Sequence, residues 1–184
     1  LQGGFTLTNW SDPDPVHNPT ILDAQRQGRV MFIGVARVTV SGLQLVNGLA
    51  ESRNGGGIYI HANAMVTVID SIIAHNQAIG DSGGLTGGGK GGGIYQDPMN
   101  PASYQASLVL RDTLLTDNWA IGGDGTSGSC WGGAGGGGAG LGGGIFNSGG
   151  EVRLINTTLS GNRAIGGNGS PFGLWADCQS SDGL

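Results

Sequence analysis

Charge is scarce in this 184-residue chain: 11% of its residues are Asp, Glu, Lys or Arg, and Lys90 is the sole lysine. The formal net charge is −5, with no basic cluster, which argues against a nucleic-acid partner. No run of 18 apolar residues occurs, so no segment is expected to insert in a membrane as a helix. The chain does not open on Met and carries no signal-peptide pattern. It therefore reads as a processed product or a piece of something longer. Aromatic residues make up only 6% and cysteine appears twice. What the chain has is glycine, 40 residues of it. Each glycine costs about 1 kcal/mol in a helix interior, so a helix-rich fold is disfavoured. The glycines lack the strict every-third spacing of collagen. The low net charge and regular apolar stretches argue against disorder.

The glycines mark a repeat. Gly55-Gly56-Gly57-Ile58-Tyr59 returns as Gly91-Gly92-Gly93-Ile94-Tyr95 and as Gly142-Gly143-Gly144-Ile145-Phe146. A longer segment recurs without a gap. Val66 to Ala78 aligns with Leu108 to Ala120 and with Val152 to Ala164, and a looser copy runs from Val38 to Ala50. The copies start at 38, 66, 108 and 152, so they step by 28, 42 and 44 residues. A constant segment with connections of varying length is the mark of a repeat array with insertions on one face.

Inside each copy the apolar residues alternate: Val66 and Val68 flank Thr67, Leu108 and Leu110 flank Val109, Val152 and Leu154 flank Arg153. A period of two means a strand with one face buried. A second short stretch follows a bend (Ile72-Ile73, Leu114-Leu115, Thr158-Leu159), and a third begins at Ile58, Ile94 and Ile145. Three short strands per repeat describe one turn of a parallel β-solenoid. The expected fold is all-β: a right-handed, single-stranded parallel β-helix of four to five turns with long glycine-rich loops on one side. Stacking would align Asn76, Asn118 and Asn162 in one column, their amides bonding along the axis. Ala50, Ala78, Ala120 and Ala164 would form another at a tight corner. One domain is expected, with residues 1–37 as irregular first turns, 38–165 as the repeats and 166–184 as a glycine and aromatic end. Gly4–Thr8, Thr20–Asp23 and Arg29–Ile33 read as strands of that irregular part. The proline-rich stretch from Ser11 to Pro19 reads as a loop.

The combination of GGGI[YF], a V-x-[VL] strand and an N-x-A close resembles bacterial right-handed parallel β-helix surface proteins. It is similar to the polymorphic outer-membrane proteins and related extracellular adhesins with GG[AG]I repeats. Gln2-Gly3-Gly4-Phe5 and Pro19 to Ala24 also resemble the opening of such proteins. The resemblance covers nearly the whole chain. It implies the architecture and a bacterial-type extracellular or cell-surface location. It leaves function open, because β-helices of this kind include polysaccharide lyases and glycosidases as well as adhesins.

Chemistry-bearing residues are few. Asp70 and Asp112 share a repeat position and would lie about one strand spacing apart, the best candidates for a carboxylate pair or a calcium site. Asn156 and Gly42 take the same place in neighbouring copies, so a turn requirement accounts for the position more simply. His17, His61 and His75 have no second ligand at metal spacing, and no metal or cofactor is expected. Gly122-Gly123-Asp124-Gly125 and Gly166-Gly167-Asn168-Gly169 resemble calcium-repeat motifs but stand 44 residues apart rather than in tandem. No phosphate-loop Gly-Lys-Ser/Thr follows the glycine runs.

The loops remain. Those from Gly80 to Gly93, from Gly122 to Gly144 and from Gly166 onward would leave the same side of a solenoid. Trp131, Phe172 and Trp175 in these loops and Trp119 just ahead of the second would come together, either packed locally or facing a partner or glycan. Cys130 and Cys178 would lie in neighbouring loops and form a candidate disulfide pair. The expected role is a non-catalytic extracellular structural or adhesive protein. It would associate head to tail through unpaired strand edges, or form part of a longer surface protein. A carbohydrate-active enzyme and a glycan-binding module are the alternatives.

Overall fold

Parallel strands stacked in register make up the molecule. The computed structural model describes residues 1–52, 54–61, 63–82, 87–97, 106–125 and 136–169. Thr20–Asp23 (β1) and Met31–Ile33 (β2) precede the repeats. The first repeat contributes Arg37–Ser41 (β3), Leu43–Val46 (β4), Leu49–Glu51 (β5) and Ile58–Ile60 (β6). The second has Met65–Ile69 (β7), Ile72–Ala74 (β8), Gln77–Ile79 (β9), Gly89–Lys90 (β10) and Ile94–Gln96 (β11). The third has Ser107–Arg111 (β12), Leu114–Thr116 (β13), Trp119–Ile121 (β14), Gly140–Leu141 (β15) and Ile145–Asn147 (β16). Glu151–Ile155 (β17), Thr158–Ser160 (β18) and Arg163–Ile165 (β19) follow.

Each strand pairs with its counterpart in the next repeat, giving sheets β3-β7-β12-β17, β1-β4-β8-β13-β18, β5-β9-β14-β19, β2-β6-β11-β16 and the short β10-β15. Val66, Leu108 and Val152 are direct partners, as are Ala78, Ala120 and Ala164. The chain is thus all-β with parallel sheets, an arrangement compatible with a β-solenoid. Inward positions form the core: Val68, Leu110, Ile73, Leu115, Ile58 and Ile94 are fully buried. At about 25 cal/mol per Å² these columns supply the main driving force for folding.

The structure corrects the expected strand count. Each complete repeat has four principal strands, not three, because the x-Ala-x segment after the asparagine is itself a strand. The alanine column therefore sits in the middle of a sheet rather than at a corner. Gly4–Thr8 forms no strand; Gln2 alone bridges Ser41 in that region. β2 starts at Met31, two residues later than expected.

The two tight turns of each repeat explain its polar signature. Gly42, Asp70, Asp112 and Asn156 have φ of 65°, 48°, 49° and 47°. That left-handed region favours Gly, Asn and Asp among all residues. In three of the four repeats a hydroxyl follows. Ser71, Thr113 and Thr157 donate to the carbonyls of Ile69, Arg111 and Ile155 at 2.7, 2.8 and 3.0 Å. Asn47, His75, Asp117 and Gly161 form a second left-handed column, with φ of 57°, 57°, 52° and 63°. Each is followed by the Asn column or, in the first repeat, by Gly48.

Candidate functional site

Besides the turn columns, three features run along the stack, and the first two engage polar and aromatic groups that might have carried chemistry. In the first, the backbone N–H and Nδ2 of Asn76 both donate to Oδ1 of Asn118, at 3.1 and 3.0 Å. Asn118 repeats the pattern onto Asn162 at 3.1 and 2.9 Å. Every Nδ2 also reaches a carbonyl of the preceding repeat: Leu45 at 3.1 Å, Ile73 at 2.8 Å and Leu115 at 2.8 Å. Gly48 N–H closes the column on Asn76 Oδ1 at 2.7 Å. Asn76 and Asn118 are fully buried, so these bonds are made away from competing water.

The carboxylate candidates belong to a turn column. Asp112 Oδ1 accepts from Asn156 Nδ2 at 2.5 Å, and both residues hold left-handed backbone. Among the described residues no group of three His, Cys, Asp or Glu is placed to hold a metal ion, and no helix is long and apolar enough to cross a membrane.

Sequence reasoning missed the second column. Phe32, Tyr59, Tyr95 and Phe146 face outward from β2, β6, β11 and β16, with ring centroids 5.4, 5.1 and 5.5 Å apart. Arg29 lies 4.8 Å over Tyr59 and Lys90 lies 5.6 Å from Phe146. Tyr59 donates its hydroxyl to Asp97 Oδ2 at 2.9 Å, and burial together with that carboxylate pushes the phenol up to about 12. Burial also raises Tyr95. Neighbouring rings cover one another's faces and stabilise the sheet at about 0.5–1.5 kcal/mol per pair, while Phe32 at the end of the column is 57% exposed. The signal was in the sequence: in Ile-Tyr-Ile and Ile-Tyr-Gln the outer two positions point inward, which turns the middle one out.

The third feature is a glycine platform at the roots of the long loops. Gly123 N–H donates to Gly87 O at 2.9 Å, Gly138 N–H to Gly123 O at 2.8 Å and Gly167 N–H to Gly138 O at 2.8 Å. Outgoing and returning stems of successive loops are thereby interleaved. The approach leaves no room for a side chain. A Cβ on Gly123 would overlap the Asp81 carbonyl oxygen, one on Gly138 the Gly87 oxygen, and one on Gly167 the Gly123 oxygen. Asp124 Oδ1 accepts the Asn168 N–H at 2.7 Å and ties the outermost stem to the one before.

Of the expected aromatic surface, Trp119 lies in β14, ahead of the loop that leaves at Gly122, with the Arg163 guanidinium 5.4 Å over its ring. It stands in the outward column between Gln77 and Arg163. Trp131, Phe172 and Trp175 lie outside the described residues, as do Cys130 and Cys178. No family model, curated protein or solved structure matches this chain.

Proposed function

We propose that this chain is a right-handed parallel β-helix that acts outside the cell as a structural and adhesive element, without catalysis. The glycine platform carries the reading. It fixes the roots of loops of unlike length side by side on a rigid sheet stack, which is how scaffolds present variable binding segments. Right-handedness follows from the strong preference of parallel β crossovers for that hand. The resemblance of the GGGI[YF] repeats to bacterial surface adhesins supports the setting. The left-handed turn that Asp70 and Asp112 occupy accounts for their carboxylates structurally, which weighs against a hydrolytic reading. Incubation with a panel of immobilised polysaccharides should retain the protein on at least one polymer and release no new chain ends. Cleavage by the wild type that is lost in Asp70→Ala or Asp112→Ala would make the protein an enzyme instead.

A second element of the reading is self-association. Leu154 and Leu159 occupy columns in which Leu110 and Leu115 are fully buried, yet they are 48% and 45% exposed. Among the described residues no strand pairs with the outer edges of β17, β18 and β19, and an apolar rim beside such edges invites a further layer from another copy. Sedimentation should show average mass rising with concentration for the wild type and not for Leu159→Arg. A wild type that stays monomeric throughout ends this part of the reading and leaves the adhesive part standing.

A further inference from the structure

One sheet is a strand short at the end where the chain begins. β1 lies over β4, β2 lies over β6, and Gln2 bridges Ser41 on β3. Among the described residues nothing equivalent covers β5, the terminal strand of its sheet. The chain passes from β1 to β2 by a short cut in which Gln25 and Arg26 take left-handed backbone, with φ of 51° and 58°. The missing strand leaves a cavity of about 310 Å³ lined by Arg26, Gly28, Arg29, Leu49, Ala50 and Glu51. That volume lies at the small end of ligand pockets.

The hydrogen-bonding face of this notch can be read from its neighbours. Gly48 O accepts from Gln77 N–H at 2.8 Å and Ser52 N–H donates to Ile79 O at 2.9 Å, so even-numbered positions face β9. Leu49 N–H donates to Gly28 O at 2.7 Å, toward the notch. In a parallel strand successive residues alternate sides. The Leu49 carbonyl and the Glu51 N–H therefore face the notch, and neither has a partner there among the described residues. These two groups match the donor and acceptor of a single residue placed opposite Ala50.

We infer that this notch binds an extended peptide, added parallel to β5 as the missing strand, with a small central residue and acidic flanks. The central residue donates its N–H to Leu49 O and accepts from Glu51 N–H. It continues the buried column of Ala50, Ala78 and Ala120, which admits only a small side chain. Arg26 and Arg29 outnumber Glu51 at the rim, which favours acid in the flanking positions. Arg26 reaches across the outer face to Gln77 Oε1 at 3.1 Å, so its charge lies beside the first flanking position.

The test is a titration of the isotope-labelled full chain with acetyl-Glu-Ala-Asp, followed by amide chemical shifts. Saturable shifts confined to Leu49–Glu51 and 26–29 are expected, with a dissociation constant on the order of 1 mM. Methylating the central peptide nitrogen should weaken binding at least about tenfold, since it removes the one donor that reaches Leu49 O. Replacing the central Ala with Val should do the same. Arg26→Glu should reverse the preference toward acetyl-Lys-Ala-Lys. No saturable shift at about 20 mM peptide overturns the inference, and so does equal binding of the N-methylated peptide. The N-methyl comparison uses the wild-type chain, so it holds even if Arg26→Glu folds poorly. Equal binding of the acidic and basic peptides to the wild type also counts against it.

Discussion

Asn118→Ala should be the most damaging single substitution in the repeats. The side chain sits in the middle of its column with no solvent exposure. Its Oδ1 accepts two bonds from Asn76, and its Nδ2 donates to Ile73 O and Asn162 Oδ1. Alanine removes all four, leaves the Asn76 backbone N–H buried without a partner and leaves Asn76 Nδ2 with Leu45 O alone. An unsatisfied buried group costs about 1–3 kcal/mol. Allowing for partial rearrangement, the loss should be about 4 kcal/mol, a large share of the 5–15 kcal/mol that holds a typical domain together. Asn162→Ala is the internal comparison. Asn162 is half-buried in the last described repeat and accepts from only one neighbouring side chain, so its loss should cost about 1–2 kcal/mol. Urea unfolding followed by circular dichroism reads both. Equal costs for the two variants would show that the column contributes no cooperative burial.

How far such positions were visible beforehand depends on how many residues carry the pattern. The five-residue strands β7, β12 and β17 show alternation most plainly, as in Val66-Thr67-Val68, where an apolar–polar–apolar run puts both valines in the core and leaves Thr67 half-buried. Asn76, Asn118 and Asn162 were legible for a different reason: an amide at one fixed place in three copies has a physical use only if the copies stack. The strand holding Ala78 was not legible. It is three residues long, starts directly after the asparagine, and has a small inward residue that suits a corner equally well. The aromatic column went unread inside the glycine motif, although Tyr59, Tyr95 and Phe146 each hold the middle position of a three-residue strand. The notch over β5 could not have been read at all, because it arises from a strand that is left out, and no residue signals an omission.

The glycine runs posed the opposite problem: abundant in sequence, they carried no direction until the stems were seen to interlock. Gly123→Ala tests what they do. A Cβ there would run into the Asp81 carbonyl oxygen, which is backbone and has no rotamer to move aside. The stem holding Gly123 must separate from that of the preceding loop, breaking the bond from Gly123 N–H to Gly87 O and straining the one from Gly138 N–H. Overpacking of this kind costs about 1–3 kcal/mol, and here it falls on a peripheral layer rather than on the core. Amide exchange at Gly123, Gly138 and Gly167 should therefore accelerate by about 10²-fold, while amides of Leu110 and Leu115 in the core columns keep their protection. Gly34→Ala is the control, since its Cβ would meet only the Phe32 ring at an ordinary 3.7 Å. If Gly123→Ala instead unfolds the core columns together with the platform, the loops are built into the scaffold's cooperative unit. Retention on polysaccharide should then fall only as the whole fold falls. If the platform opens alone and retention is lost with it, the placement of the loop roots is what the glycines provide, and adhesion depends on that placement.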